Sequence, residues 1–375
     1  MASKPDIIAA IANTVRKANT TSLDISFNEL LDMADGGELN ISPDYQRLFR
    51  WSEAQRSRFI ESLLLEMPVP PIYVIEQDEG TYQLIDGLQR ISSYLHLRGK
   101  LEASHLDPPV KKGDMLQLVD CDIVSELNGM TFDDFPTALQ IRLKRAFIRM
   151  EVVKKETDPT FKYHMFKRLN TGGDTLSSQQ VRNATIRLLD AKFPDFVIEL
   201  SKTGPFEECT TYLTQERKLS AFDQELVVRF FAFKNRRHLF KHDVADFLTQ
   251  YMEDVASEKQ PFNYEMEKEV FEKTFAALCA SLGEYAFSFA NRAKTNLSAG
   301  FSIYHYEAVT IGLQAVLDRI DIQNPEQIAL LEQALKQAKL DPGFITSTTG
   351  GGKNSPGPLT QRIEFIATRL IDAFP

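Results

Sequence analysis

The run I-D-G-L-Q-R at 85–90 brings together residue types suited to holding phosphate. Gly87 can take a positive φ and lets another group approach the backbone closely. If a helix starts directly after it, the free N–H groups of the first turn and the positive end of the helix dipole converge on one point, where an anion is held. Arg90 would add a bidentate cationic fork there. Asp86 could hold a divalent ion or orient a water, or it could simply be the N-cap of that helix. An ordinary Asp-Gly turn beside a solvated arginine accounts for the same residues, so the run alone leaves both readings open.

Such a site needs a strand and a helix to position it, and the flanking pattern predicts both. Thr81–Ile85 is short, β-branched and apolar, as a strand should be. From Leu88 the apolar spacing turns helical, with Ile91, Tyr94, Leu95 and the stem of Arg98 on one side, and Gly99 falls where a helix-ending glycine belongs. Upstream, Ser52 and Gln55 spell a capping box that starts a helix at Glu53. Its apolar positions are Phe59, Ile60, Leu63, Leu64 and Met67, and Pro68 stops it. Pro70 and Pro71 keep the chain extended into a strand over 72–75, and Gln77–Gly80 reads as a hairpin turn. Downstream, Phe147–Val153 alternates as a strand, Phe161–Leu169 is helical in pattern, and a further helix opens at 176–178 and runs through Leu189. Between them, Asn170-Thr171-Gly172-Gly173 is ordinary helix-stop chemistry, and Ser177 or Ser178 an ordinary N-cap.

Four blocks in this order carry a family resemblance. They are P-D-Y-Q-R-L-F-R-W-S at 43–52, E-S-L-L-L-E-M-P-V-P-P-I-Y at 61–73, I-D-G-L-Q-R at 85–90 and F-K-R-L-N-T-G-G-D-T-L-S at 166–177. Together they resemble the N-terminal domain of GmrSD-type restriction endonucleases, of the ParB/sulfiredoxin-like superfamily. The family hallmark is D-G-Q-Q-R, and here Leu88 replaces the first Gln. Gly87, Gln89 and Arg90 remain, so backbone and arginine contacts to phosphate are expected to survive, while any role of the missing amide is lost.

The resemblance implies a nucleoside triphosphate, with Mg²⁺, as cofactor. Its binding residues would be Gln46, Arg47, Gly87, Leu88, Gln89, Arg90, Asn170, Gly172 and Gly173, with Asp86 and Arg90 catalytic and Asp86 the metal ligand. Gln180, Arg182 and Asn183 could add contacts, and Tyr45 is expected to pack. The implied function is triphosphate binding with slow hydrolysis in defence against foreign DNA. Two alternatives stand beside it: a metal-dependent DNA nuclease, or a non-enzymatic switch that senses nucleotide or DNA and recruits a separate nuclease subunit. The His-x-x-Pro-like core of the His-Asn-His nuclease domain carried by GmrSD enzymes is not found in the sequence, which points to a stand-alone member. The sulfiredoxin branch works through a cysteine in its phosphate motif; residues 86–90 contain none, which argues against redox repair.

The expected fold is α+β: a ParB/sulfiredoxin-like domain with a small mixed sheet over about 20–175, then a mainly α-helical domain over 176–375. Helical patterns cover 222–233, 244–255, 265–282 and 322–340. Glu225–Ala232 and Gln361–Glu364 resemble segments of the helical portion of stand-alone members. With 375 residues the chain can bury ample core. Its net charge of −9 repels nucleic acid unless basic residues are gathered locally. Three basic clusters, 142–149, 162–168 and 234–241, would permit DNA contact, although each could be a solvated helix face. No signal-peptide core and no apolar run of membrane length occur, and the three cysteines are widely separated, so a cytoplasmic protein without a disulfide framework is expected.

Two patterns are decoys. Gly350–Asn354 lacks both the first glycine and the Ser/Thr of a P-loop, those positions holding Ser347 and Asn354. It reads as a mobile loop, with the softer expectation that Lys353 closes over a phosphate. His238 and His242 would share a helix face but lack further zinc ligands nearby.

Overall fold

The computed structural model describes residues 6, 7, 11, 19–41, 51–104, 106, 108–157, 161, 165, 177–187, 189–241, 243–350 and 353–375. The chain divides into two units, Met1–Thr175 and Leu176–Pro375. The first is α+β and the second largely helical.

The first unit is built on strands β1 (Thr20–Ser26), β2 (Leu39–Asn40), β3 (Ile72–Glu76), β4 (Tyr82–Asp86) and β5 (Phe147–Val153), in the order β1-β5-β3-β4-β2. The β1/β5 and β3/β4 pairs are antiparallel, whereas β3/β5 and β2/β4 are parallel, so the sheet is mixed. Its helices are α1 (Phe27–Gly36), α2 (Glu53–Leu64), α3 (Leu88–Leu97) and α4 (Thr137–Arg145). Each of the first two starts on a serine: the Ser26 hydroxyl accepts from Glu29 N–H, and Ser52 and Gln55 form the predicted capping box. α3 ends as its sequence requires, with Gly99 at φ +64° and Lys100 N–H donating to the Leu95 carbonyl. The core gathers Phe27, Phe59, Ile60, Leu63, Ile91 and Tyr94, with the Phe27 and Tyr94 rings 5.1 Å apart. Met67 departs from the predicted apolar face. α2 stops at Leu64, before Pro68, and Met67 is exposed.

The second unit contains α5 (Ser178–Ile186), α6 (Lys192–Leu200), α7 (Gly204–Cys209), α8 (Gln215–Leu219), α9 (Phe222–Arg236), α10 (Val244–Ala256) and α11 (Tyr264–Leu282). A two-stranded ribbon, β6 (Phe289–Ala290) and β7 (Leu297–Ser298), precedes α12 (Ile303–Gly312), α13 (Pro325–Leu340), α14 (Pro342–Thr348) and α15 (Pro356–Ala373). α5 is shorter than its predicted reach to Leu189, and α13 starts at Pro325, where Asn324 caps it. α9 lies inside this unit, with Leu226, Val227, Val228, Phe230, Phe231, Ala232 and Phe233 all buried. It carries a buried ionic chain. Glu225 pairs with Arg182 at 2.6 Å and Arg229 at 2.9 Å, and Glu307 pairs with Arg229 at 2.6 Å and with Arg362. Among the described residues no helix is long and apolar enough to cross a membrane.

Candidate functional site

The turn from β4 into α3 is shaped by an irregularity in the sheet. Asp86 pairs with Tyr73, yet the next pair is Leu84 with Val74, so Ile85 is an extra residue on β4. A bulge of this kind bends the strand and re-aims the side chains beside it. Ile85 and Leu84 are consequently both buried, and Asp86 keeps a side-chain exposure of 38%.

Gly87 follows at φ +109°, a conformation open to glycine at little cost. It occupies the N-cap position of α3, and no side chain caps this helix. Asp86 is therefore the last residue of the strand and not the cap that its position before the helix allowed. A Cβ on Gly87 would lie 2.3 Å from Ile72 Cγ2, so the glycine also lets the start of β3 pack directly against the turn.

Arg90, in the first turn of α3, reaches back across this junction. Its Nη2 donates to Asp86 Oδ2 at 2.7 Å and to the Pro71 carbonyl at 3.0 Å. The side chain is 14% exposed, and its Nε is buried without a hydrogen-bond partner. A buried unpaired N–H of a cation is costly, so this atom marks where an acceptor would be stabilised. The turn thus combines an uncapped helix N-terminus, a partly buried guanidinium with donor capacity, and a half-exposed carboxylate.

Gln89 and Leu88 hold the turn in place. The Gln89 Oε1 accepts from Trp51 N–H at 3.1 Å. Arg56 Nε donates to the Trp51 carbonyl at 2.8 Å, so both backbone groups of Trp51 are fixed at the start of α2. Arg56 Nη1 lies 3.0 Å from His96 Nδ1 on α3. Burial, with Arg56 beside it, lowers the His96 pKa to about 4. The ring is neutral at pH 7, its Nδ1 accepts from Arg56, and the proton sits on Nε2. Leu88, standing where the hallmark has Gln, packs against the hydrophobic core. Arg56 and His96 were not predicted. They lie far apart in sequence, and no local pattern links them.

Gln46 and Arg47, with Tyr45, and Asn170, Gly172 and Gly173 lie outside the described residues, as does the helix predicted over 161–169 apart from residues 161 and 165. The other expected contributors are engaged within the second unit. Gln180 completes a capping box with Ser177 and donates to the Leu219 carbonyl at 2.7 Å. Arg182 is buried against Glu225, and Asn183 donates to Gln224 Oε1 at 2.5 Å. Their polar groups are already satisfied there.

The basic clusters are partly neutralised. Arg142 pairs with Glu66, Arg149 with Asp24, Lys234 with Glu267 and Arg236 with Asp254. The 142–149 run is no single helix face, because α4 ends at Arg145 and β5 begins at Phe147. Most of the 162–168 run lies outside the described residues. His238 falls in a short 3-10 turn after α9, and His242 lies outside the described residues. No group of three potential metal-ligating side chains occurs among the described residues. The Gly350–Asn354 decoy follows helix α14 rather than a strand, and Lys353 Nζ donates to the Thr346 carbonyl, while Gly351 and Gly352 lie outside the described residues. All three cysteines are free, and burial raises the Cys121 and Cys279 thiols to about 11, the neighbouring Glu208 adding to the effect at Cys279. They are protonated at neutral pH and poor nucleophiles.

Comparison with known proteins agrees with the four sequence blocks. Searches of curated proteins and of solved structures gave no significant match. The model of the GmrSD restriction endonuclease N-terminal domain matches residues 27–187, a span that holds the β4–α3 turn and all five expected site residues of the 86–90 run. The match over residues 27–187 is consistent with a member of the GmrSD restriction endonuclease N-terminal domain family.

Proposed function

We propose that the β4–α3 turn binds the phosphates of a nucleoside triphosphate and hydrolyses it slowly, as part of a restriction-type defence against foreign DNA. The family match suggests the defence setting. The observation that supports the nucleotide reading is Arg90. Its guanidinium stands at an uncapped helix N-terminus with a buried Nε lacking a partner, beside the half-exposed carboxylate of Asp86. Backbone N–H groups of residues 88–90 would receive phosphate oxygens, and Arg90 would offset charge that grows during phosphoryl transfer. Arg47, Gln46, Asn170 and the glycines 172 and 173 would complete the enclosure.

Asp86 fits a magnesium ion held jointly with the nucleotide, because Mg²⁺ commonly takes one or two carboxylates plus substrate phosphates and waters. When bound, the ion would supply neutralisation of phosphate charge. Asp86 Oδ1 is the oxygen available for this, Oδ2 being held by Arg90. Among the described residues of the turn Asp86 is the one carboxylate, which favours triphosphate chemistry over a two-metal nuclease. The nuclease step would then belong to a separate subunit. Screening the four NTPs with Mg²⁺ tests the reading, with thermal shift and phosphate release measured with and without DNA. Stabilisation together with release supports an NTPase. Stabilisation without release supports a nucleotide-sensing switch, and no stabilisation by any NTP rejects both.

A further inference from the structure

The second unit contains a cavity of about 750 Å³ whose chemistry differs from that of the chain around it. The chain carries a net charge of −9, yet among the described residues no Asp or Glu lines this cavity, while Arg217, Arg229, Arg292 and Lys294 all do. Arg229 is committed to Glu225 and Glu307. Arg217, Arg292 and Lys294 have no carboxylate partner among the described residues, although the guanidinium of Arg217 also lies 5.1 Å from the centre of the Phe222 ring. Unpaired cations gathered at one opening focus a positive potential that attracts anions.

The remaining walls are aromatic. Phe222, Phe289, Phe301 and Tyr304 line the same space. Phe289 is 43% exposed, and its ring rests on Gly300, where a Cβ would lie 2.6 Å from the ring. Gly300 therefore seats Phe289 against the backbone and fixes an exposed flat surface. Phe222 and Phe301 meet edge to face at 6.1 Å. His305, 2% exposed, is a further wall residue, and its Nδ1 has no hydrogen-bond partner.

An inorganic anion would not need aromatic walls, and a neutral aromatic molecule would not need three unpaired cations. We propose that this cavity is a second nucleotide site. An aromatic base would lie against Phe289 and Phe301, with its phosphate on Arg217, Arg292 and Lys294. The volume is in the range of small-molecule sites. The same chemistry is offered by a free nucleotide and by one nucleotide of a single strand. This site is independent of the triphosphate proposed at Arg90.

The test uses the full chain and fluorescence anisotropy of a fluorescein-labelled ten-nucleotide deoxythymidine strand, competed with thymidine monophosphate or adenosine monophosphate. The double variant Arg292→Glu/Lys294→Glu alters exposed residues, and Phe289→Ala removes the stacking surface with no change of charge. Circular dichroism establishes that each stays helical. Wild-type protein should bind the strand, both variants should weaken binding tenfold or more, and Arg90→Ala should leave it unchanged. Competition by either monophosphate at comparable concentration assigns a free nucleotide as the ligand, and absence of competition assigns the strand. The proposal is overturned if wild type binds neither the strand nor a monophosphate, or if both folded variants bind as wild type does. Loss in Arg90→Ala alone would also overturn it.

Discussion

The guanidinium of Arg90 and the carboxylate of Asp86 close an ion pair of 2.7 Å around the Gly87 turn. Asp86 is thereby held in place by the residue with which it would act. Asp86→Asn keeps an oxygen that can accept from Arg90 and removes the charge. If Asp86 holds a metal or aligns water, hydrolysis should fall at least about tenfold, equivalent to roughly 1.4 kcal/mol of transition-state stabilisation. Triphosphate binding should persist, because a carboxylate repels phosphate unless a cation lies between them. Phosphate-release kinetics beside calorimetric binding separate these effects. Full turnover in the variant would remove Asp86 from the chemistry.

Gly87 has a packing role that any test of phosphate binding must take into account. Its missing Cβ leaves room for Ile72, and its φ of +109° is unfavourable for other residues. Gly87→Ala should destabilise the first unit by about 2–4 kcal/mol, through overpacking and backbone strain. Trp51 is the only tryptophan and lies in that unit, so its fluorescence during urea unfolding reports the change. An unaltered midpoint would contradict the close approach of Ile72. Gly87→Val would upset the fold before it tested the phosphate cradle.

His96 makes the first unit sensitive to acid. Its folded pKa of about 4 lies below the unfolded value of 6.5. The unfolded chain therefore takes up the proton first as pH falls, so the stability present above pH 6.5 is lost progressively down to pH 4. The full window corresponds to about 3 kcal/mol, with about 2 kcal/mol lost by pH 5, above most carboxylate titration. His96→Gln retains an oxygen for Arg56 and cannot titrate. Urea midpoints from Trp51 fluorescence at pH 7 and pH 5 should converge in the variant and differ in wild type. An equal drop in both would place the acid sensitivity elsewhere.

What was legible in the sequence was local. The Asp-Gly break between a short β-branched apolar run and a helical run located β4, the turn and α3, and the Ser52–Gln55 box located α2. Residues whose role depends on a distant partner were not legible. The bulge at Ile85 exists only relative to β3, the Arg56–His96 contact joins two helices, and Gln89 acts on Trp51. The carboxylate partners of the basic clusters were hidden for the same reason. A run such as K-N-R-R at 234–237 does not reveal that Glu267 and Asp254 lie against it after folding. Helices α1 and α4 and strand β1 carried patterns too weak to stand out in the sequence, and their packing on the core defines them.

The central claim, that the turn at Gly87 receives a triphosphate through Arg90, is tested most directly by calorimetric titration of wild type and Arg90→Ala with each NTP and Mg²⁺. The Trp51 unfolding transition verifies that the variant is folded despite losing its bonds to Asp86 and Pro71. Wild type should bind at least one triphosphate, and Arg90→Ala should weaken that binding by about 2 kcal/mol, roughly thirtyfold, the loss of a charge-assisted contact. A folded Arg90→Ala protein that binds the triphosphate as tightly as wild type would contradict the account.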